Sequence, residues 1–544
     1  MFLVLLIKGK RIQSGSDGFT IEDRNGISVV FGKTYGEAIK IGGCILSIDQ
    51  GTTGTTAIVW NSEGLSIARV NREHKQYYPQ PGWVEQEPDE IWGNVLKTTE
   101  QALQEAGISA RELAAMGITN QRETVVFWDR ESGRALTRAI VWQCRRTAEM
   151  CRQLKNEGLE DQIRRRTGLL LDPYFSGTKV RWAMENLPQV KEAAEKGTLA
   201  CGTVDSYLLY RLTGGSVFAT DYSNASRTLL FNIHQLEWDE TLLKIFKVPV
   251  GVLPEVMPSS YLYGETDPNV FFGSAVPIGG IAGDQQAALF GQACFQPGMT
   301  KNTYGTGSFL LMNTGEKAVA SKNGLLTTVA WGVKGEVSYA LEGSIFITGA
   351  AVQWLRDGLQ LIKEASDLED LAGLVESNDG IYLVPAFAGL GAPHWDPYAR
   401  GLLIGITGGT TRAHLARAVI EAMAYQTRDV LEIMRCDADL PLKELRVDGG
   451  ASVMDLLLQF QADISGTVVR RASTADTTAL GAAYLAGLAC GTWKDTEALA
   501  DLWQESASFK PQMDEDRRRF LYRGWRKAVK RSLDWAEREK PFYV

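Results

Sequence analysis

The chain has 544 residues, 44% hydrophobic and 22% charged, with a formal net charge of −8 at pH 7. That length exceeds what one hydrophobic core organises and suggests two sizeable globular domains. The acidic balance argues against nucleic acid or an anionic membrane surface as the main partner, and seven cysteines without a CxxC pair, with four scattered histidines, argue against a disulfide scaffold or a spaced metal site.

Residues 1–43 form a polar, Gly-rich lead-in whose patterning differs from that of the remaining chain. Its Met1–Ile7 run is shorter than a signal-peptide core and has no A-x-A-like site behind it. No run in the chain approaches the 18 or so apolar residues of a membrane span, so a cytoplasmic protein is expected. The stretch from Gly26 to Thr34 resembles a phosphate loop but has five residues between its glycines where the motif needs four, and reads as a hairpin tip.

Next comes Leu46-Ser47-Ile48-Asp49-Gln50-Gly51-Thr52-Thr53-Gly54-Thr55-Thr56-Ala57-Ile58-Val59, an apolar run, an acid, six residues of only Gly and Thr, and a second apolar run. This reads as strand, tight turn, strand. Clustered N–H groups in such a turn make an anion-binding concavity suited to a polyphosphate. Asp49 beside phosphates would be repelled unless a divalent cation sat between them, so the segment suggests Mg-nucleotide chemistry.

Beyond it, 91–106 has helical periodicity and 113–119 reads as a buried strand ending in the polar burst Asn120-Gln121-Arg122-Glu123-Thr124. The apolar segments 202–212 and 276–283 end near Gly and Asp, and 291–298 reads as a hinge. Strands are expected at 382–386, 403–406 and 445–447, and helices at 411–434, 453–464 and 479–488, the last rich in small residues suited to close packing. The tail, 516–540, reads as a charged helix with a solvated basic run.

Three glycine-flanked acids, Asp49, Asp284 and Asp448, each follow an apolar strand. One acid at such a place is usually a helix N-cap. Three in this order resemble the actin-like ATPase superfamily, in which a nucleotide lies between two ribonuclease-H-like domains. Within it the chain resembles the FGGY family of sugar and polyol kinases: Tyr174-Phe175-Ser176-Gly177-Thr178-Lys179-Val180-Arg181-Trp182 fits one signature, and Gly401-Leu402-Leu403-Ile404-Gly405 with Glu421 approximates the other. The Arg122-Glu123 pair, Trp142 in Val141-Trp142-Gln143-Cys144, the Gly283-Asp284-Gln285-Gln286 turn and Phe309 narrow the likeness to the glycerol-phosphorylating branch.

The resemblance implies an α/β fold of two ribonuclease-H-like domains, 44–292 and 293–544, with the cleft between them. It implies ATP-dependent phosphorylation of glycerol to sn-glycerol 3-phosphate, with ATP as co-substrate and Mg²⁺ as cofactor. Arg122, Glu123, Trp142, Tyr174, Asp284, Gln285 and Phe309 would bind the acceptor, with Asp284 as general base. Asp49 and Asp284 would orient the metal. Gly51, Thr52, Thr53, Gly54 and Thr306 would line the phosphates, and Gly349, Gln353, Gly450 and Met454 would meet the nucleotide. A homo-oligomer, dimer or tetramer, is expected. The physics agrees: a small triol is recognised by polar partners for its hydroxyls, because unpaired buried polar groups penalise the wrong acceptor.

The chain departs from the family at Thr56, where an Arg near the phosphates is usual, and at Met454, where an Asn is usual. The family has no counterpart of 1–43, which suggests a start placed too far upstream. Val270 stands where some relatives carry a phosphorylatable His, and the loop after it lacks the Arg that binds fructose 1,6-bisphosphate, so neither control is expected. The rival readings are a kinase of the same fold for another polyol or sugar such as xylulose, and a non-catalytic nucleotide-binding module.

Overall fold

The computed structural model describes residues 6–7, 10–15, 18–22, 28–32 and 43–537. The chain divides into two units, Met1–Gly43 and Cys44–Val544. The first contributes four strands, Leu6–Ile7, Lys10–Gly15, Gly18–Glu22 and Ser28–Gly32, paired antiparallel in chain order. Within the Gly26–Thr34 stretch, Ser28–Gly32 is a strand. Its Val29-Val30-Phe31 run has the β-branched and aromatic character that strands favour, and the remaining residues of the stretch lie outside the described ones.

The second unit is organised by one thirteen-stranded sheet. Five strands form its first part: β1 (Cys44–Gln50), β2 (Gly54–Trp60), β3 (Ser66–Glu73), β4 (Leu113–Asn120) and β5 (Pro277–Gly283). β1, β2 and β3 run antiparallel to one another in chain order, β4 lies parallel to β1, and β5 lies parallel to β4. The second part repeats this order with β6 (Met299–Tyr304), β7 (Ser308–Gly315), β8 (Glu336–Ile345), β9 (Glu444–Asp448) and β10 (Val469–Ala472). Here β6, β7 and β8 are antiparallel, β9 is parallel to β6 and β10 to β9. The two parts are the expected pair of ribonuclease-H-like folds. They join through strands Ser260–Glu265 and Leu326–Val333.

β1 is buried along its apolar run and β2 along its whole length, as expected where helices cover both faces of a sheet. Pro88–Ala106 covers β2 and β3; it starts with Pro in the first turn and ends on Gly107 at φ 69°, the usual start and stop signals. Most of the expected elements fall where the sequence placed them: Arg412–Ala438, Asp455–Ser465 and Thr477–Cys490 are helices, and Tyr382–Val384 and Leu402–Ile404 are strands. The segment 202–212 divides into a strand ending at Thr203 and the helix Val204–Leu212. The tail helix is shorter than expected, Glu515–Ser532, and 538–540 lie outside the described residues.

Two helices, α1 (Asp284–Gly291) and α2 (Thr477–Cys490), pack against one another and against β5. Their approach explains the small-residue run in α2. A methyl at Gly481 would lie 1.9 Å from the Ala287 carbonyl oxygen, and one at Gly117 of β4 would lie 2.1 Å from that of Ala482. A helix from the end of the chain thus covers the first part of the sheet. Among the described residues no helix is long and apolar enough to cross a membrane, and all seven cysteines are unpaired.

Candidate active site

Strand register gathers the predicted residues. Asp49 pairs with Thr119, Gln50 with Asn120, and Asn120 with Gly283, so Asp49, the Arg122-Glu123 turn and Asp284 leave the same end of three parallel strands. In an open α/β sheet this is where ligands bind. The second part places equivalent features beside its own first hairpin: Asp448 pairs with Thr303, which also pairs with Phe309. The two hairpin turns close alike, with Gly51 N–H donating to Gly54 carbonyl and Gly305 N–H to Gly307 carbonyl, both at 2.8 Å. Gly349 N–H and Ala350 N–H donate to the carbonyls of Gly305 and Thr306 at 3.0 Å. A methyl at Gly349 would stand 2.6 Å from the Gly305 oxygen, so the short helix Gly349–Gln353 begins against the turn only because its first residue is glycine.

The residues expected to bind the acceptor form a connected set. Trp142 Nε1–H donates to Thr52 Oγ1 at 2.9 Å, joining the expected aromatic wall to the Gly51–Gly54 turn. Trp142 and Tyr174 meet edge to face at 5.5 Å. The Tyr174 loop is pinned by the buried Lys179 ammonium, which donates to the carbonyls of Pro173, Tyr174 and Phe175 at 2.7, 2.6 and 3.0 Å. Arg122 is buried; its Nη1 donates to Gln286 at 3.1 Å and Glu342 at 2.6 Å, and its Nη2 to Glu342 at 3.1 Å and the Tyr174 hydroxyl at 3.4 Å. Arg122 Nε stands 3.2 Å from Asp284 Oδ1. Glu123 sits at φ 61°, a strained conformation for a side-chain-bearing residue and one that clusters at functional sites. Its Oε1 accepts from Arg227 Nε at 2.7 Å.

Gln285 joins the set through a residue the sequence reading missed. Lys301 Nζ donates to Gln285 Oε1 at 2.5 Å and to Thr303 Oγ1 at 3.0 Å. Burial lowers the Lys301 ammonium to about 8, against the pull of Asp448 and Asp284. Glu342 and Arg227 were missed too. Burial alone would raise the Glu342 carboxyl, but the Arg122 and Arg227 guanidiniums outweigh it and hold it at about 2. Burial pushes the Glu123 carboxyl up, with the same two arginines opposing. For Glu342 the available signal was a lone charge inside a largely apolar strand, Tyr339-Ala340-Leu341-Glu342-Gly343-Ser344-Ile345, whereas Lys301 stands among polar residues, Met299-Thr300-Lys301-Asn302, and carried no such signal. Such a charge is buried only when it is paired.

Other expected residues stand further apart. Phe309 is half-buried on β7, and Gln353 is exposed at the end of its helix. Gly449, at φ 87°, brings the Gly449-Gly450 turn against Tyr304, where a methyl would lie 2.5 Å from the Tyr304 oxygen. Met454 is buried in the core of the second part, so its side chain serves packing. Asp448 accepts from Gln292 at 2.7 Å and Thr477 at 2.6 Å, which makes it a brace between elements.

The metal expectation rests on Asp49. Burial, then the charges of Asp284 and Asp476, push its carboxyl up to about 7, with Arg69 opposing. Acids that repel one another across a cleft form a donor set short of a cation. Among the described residues no group of three or more His, Cys, Asp or Glu could hold a metal. A cation here would take two carboxylates plus phosphate and water oxygens, which is the habit of Mg²⁺. At the position of the missing loop arginine, Thr56 Oγ1 accepts from Asn71 Nδ2 at 2.9 Å. Arg69 lies two residues earlier on the same face of β3, and its Nε donates to both oxygens of Asp476 at 3.0 and 2.9 Å.

Comparison with known proteins agrees with this geometry. Models of the FGGY family of carbohydrate kinases match residues 44–291 with the N-terminal domain and 300–490 with the C-terminal domain. The chain belongs to the FGGY family of carbohydrate kinases. Among its relatives, glycerol kinase 2 of Thermotoga maritima is 59% identical, over 91% of this chain and 99% of that protein. The glycerol kinase of Carboxydothermus hydrogenoformans is 56% identical over the same shares. The crystal structure of Plasmodium falciparum glycerol kinase with ADP superposes with a TM-score of 0.85 at 37% identity, covering 90% of this chain and 98% of that one. A xylulose kinase from Lactobacillus acidophilus, at 21% identity and a TM-score of 0.79, shares the FGGY fold.

Proposed function

We propose that this FGGY kinase transfers the γ-phosphoryl group of ATP to a terminal hydroxyl of glycerol, giving sn-glycerol 3-phosphate and ADP. One observation carries the reading: a buried Arg122-Glu123 pair adjoins Asp284, with Arg122 Nε 3.2 Å from its carboxylate, beside the Trp142–Tyr174 wall. Relatives of high identity named glycerol kinase support it. Arg122 donates to and Glu123 accepts from the non-reacting hydroxyls, while Trp142, Tyr174 and Phe309 face the carbon edge. Gln285, fixed by Lys301, supplies a further polar contact.

Asp284 takes the proton of the terminal hydroxyl as its oxygen attacks the γ-phosphorus in line. Most of the rate enhancement then comes from positioning and charge stabilisation, since phosphoryl transfer asks little covalent work of a protein. Gly51, Thr52, Thr53, Gly54 and Thr306 hold the phosphates from both hairpin turns, and Gly349, Gln353 and Gly450 meet the nucleoside. Asp49 and Asp284 hold Mg²⁺, which supplies charge neutralisation for the polyphosphate. The unpaired cysteines support a reducing, cytoplasmic location.

The test is ADP release by the purified protein with ATP and Mg²⁺, offered glycerol, xylulose, gluconate or no acceptor. Turnover with glycerol well above the other three is expected. Turnover with a sugar but not glycerol would overturn the acceptor assignment, and no acceptor-dependent turnover would overturn the kinase reading.

A further inference from the structure

Four charged side chains behind the acceptor site form one buried, electrically neutral unit: Arg122, Glu123, Arg227 and Glu342, none more than 2% exposed. Glu342 grips Arg122 with both oxygens, Oε2 to Nη1 at 2.6 Å and Oε1 to Nη2 at 3.1 Å. Paired parallel bonds of this kind fix the plane of a guanidinium as well as its position. The same Oε1 accepts from Arg227 Nη2 at 2.9 Å, and Arg227 Nε donates to Glu123 Oε1 at 2.7 Å. Arg122 and Glu123 are therefore held to each other by way of Glu342 and Arg227, and not only by their adjacency in the chain.

This network leaves useful valence on one side. Glu123 Oε1 is engaged by Arg227, while Oε2 takes no hydrogen bond from any described residue. Arg122 Nη1 and Nη2 are both engaged, the longest bond being the 3.4 Å contact to Tyr174, while Nε faces Asp284 as an ion pair at 3.2 Å, so a hydroxyl gains a donor at Nε or by exchange with the Tyr174 contact. Arg227 Nη1 is buried without a partner. A network optimised for stability alone would not leave a buried guanidinium nitrogen short of an acceptor.

Glu342 comes from β8, on the strand pair that carries Phe309: Leu311 pairs with Glu342, and Phe309 with Ser344. One strand pair of the second part of the sheet thus places both the clamp and an aromatic wall, while Arg122, Glu123 and Arg227 come from the first part. We propose that Glu342, together with Arg227, is the positioning pair that sets the acceptor specificity of Arg122 and Glu123. The proposal rests on glycerol being the acceptor, and wild-type turnover with glycerol checks that reading separately.

The test compares Glu342→Gln, Glu342→Asp and Arg227→Lys with the wild type, using glycerol, 1,2-propanediol and 1,3-propanediol as acceptors. In Glu342→Gln the glycerol KM should rise by about 30-fold or more, with kcat within about threefold and the ATP KM within about twofold of wild type. The preference for glycerol over 1,3-propanediol, which lacks the central hydroxyl, should shrink by about tenfold. Glu342→Asp, which keeps the charge, should fall between. An unchanged glycerol KM and unchanged selectivity would overturn the proposal. So would a parallel loss in kcat, both KM values and melting temperature, which marks a purely structural role. If Glu342→Gln does not fold, the two conservative variants decide: a folded Arg227→Lys or Glu342→Asp with wild-type selectivity overturns it.

Discussion

Arg122 and Asp284 form an ion pair, Nε to Oδ1 at 3.2 Å. The proposed acceptor-binding cation and the proposed base are thus already adjacent, and on that reading an incoming hydroxyl inserts beside both. Asp284 also accepts from the N–H of Gln285 at 2.7 Å and opens α1, so its carboxylate is steered by backbone as well as by Arg122. Replacing Asp284 with Asn keeps the shape and removes the basic oxygen. We expect kcat to fall by about 10²–10⁴, the range for loss of a general base, while glycerol binding measured by calorimetry persists. A variant retaining full kcat would remove Asp284 as base.

Asp49 couples catalysis to stability. Its carboxyl is raised to about 7 by burial and by Asp284 and Asp476. Between the ordinary carboxylate pKa of about 4 and that value, the folded state holds a proton that the unfolded state has lost. Metal-free protein should therefore lose stability as pH rises through this window and level off above it. Asp49→Asn removes the repulsion: at pH 8 without metal it should melt higher than wild type, by about 1–2 °C for each kcal/mol relieved, yet be nearly inactive. Added Mg²⁺ should raise the wild-type melting temperature and leave that of the variant unchanged. Equal metal-free melting curves at pH 8 would refute the repulsion.

Much of this site was legible because its residues sit at chain punctuation. Asp49, Asp284 and Asp448 each end an apolar run, and glycines beside them mark the tight turns that the register then aligns. The hidden part lies inside strands and behind the turns. Glu342, Lys301 and Arg227 are buried charges whose purpose is set by partners at 220, 16 and 104 residues' remove, and local pattern carries no record of a distant partner. Met454 shows a related limit: the residue that follows the Gly450–Val453 turn also caps the helix Asp455–Ser465, and its side chain is buried in the core of the second part.

Lys301 gives a separable pH signature. Burial lowers its ammonium to about 8, so between that value and the ordinary 10.4 or so of a free lysine the folded state binds fewer protons than the unfolded state. Stability from this group should thus rise with pH across that window. Activity should move the opposite way, since the neutral amine no longer offers a charged donor to hold Gln285 and Thr303. We expect kcat/KM for glycerol to decline above pH 8, and the decline to vanish in Lys301→Met, whose activity should be low throughout. A Lys301→Met profile with the same alkaline limb would assign that limb to another group.

Arg69 stands on the sheet face of the Asp49 hairpin, which carries Thr56 where an Arg is usual. Register sets Asp49 opposite Thr56 and Thr56 opposite Asn71, so Arg69, two residues before Asn71, shares their face of the sheet. Its charge already opposes the rise of the Asp49 carboxyl, and its Nε is held by Asp476, the residue preceding α2. Half of the Arg69 side chain is exposed, so its field is screened and its contribution should be modest and salt-dependent. Arg69→Leu should raise the ATP KM by about 3–10-fold at low ionic strength and less at 0.5 M salt, a difference on the order of 1 kcal/mol, with the glycerol KM unchanged. Adding Thr56→Arg to that variant should restore the ATP KM, because it returns a cation to the same face one strand closer to Asp49. If the double variant binds ATP no better than Arg69→Leu alone, the two positions are not equivalent and Arg69 serves only its pairing with Asp476.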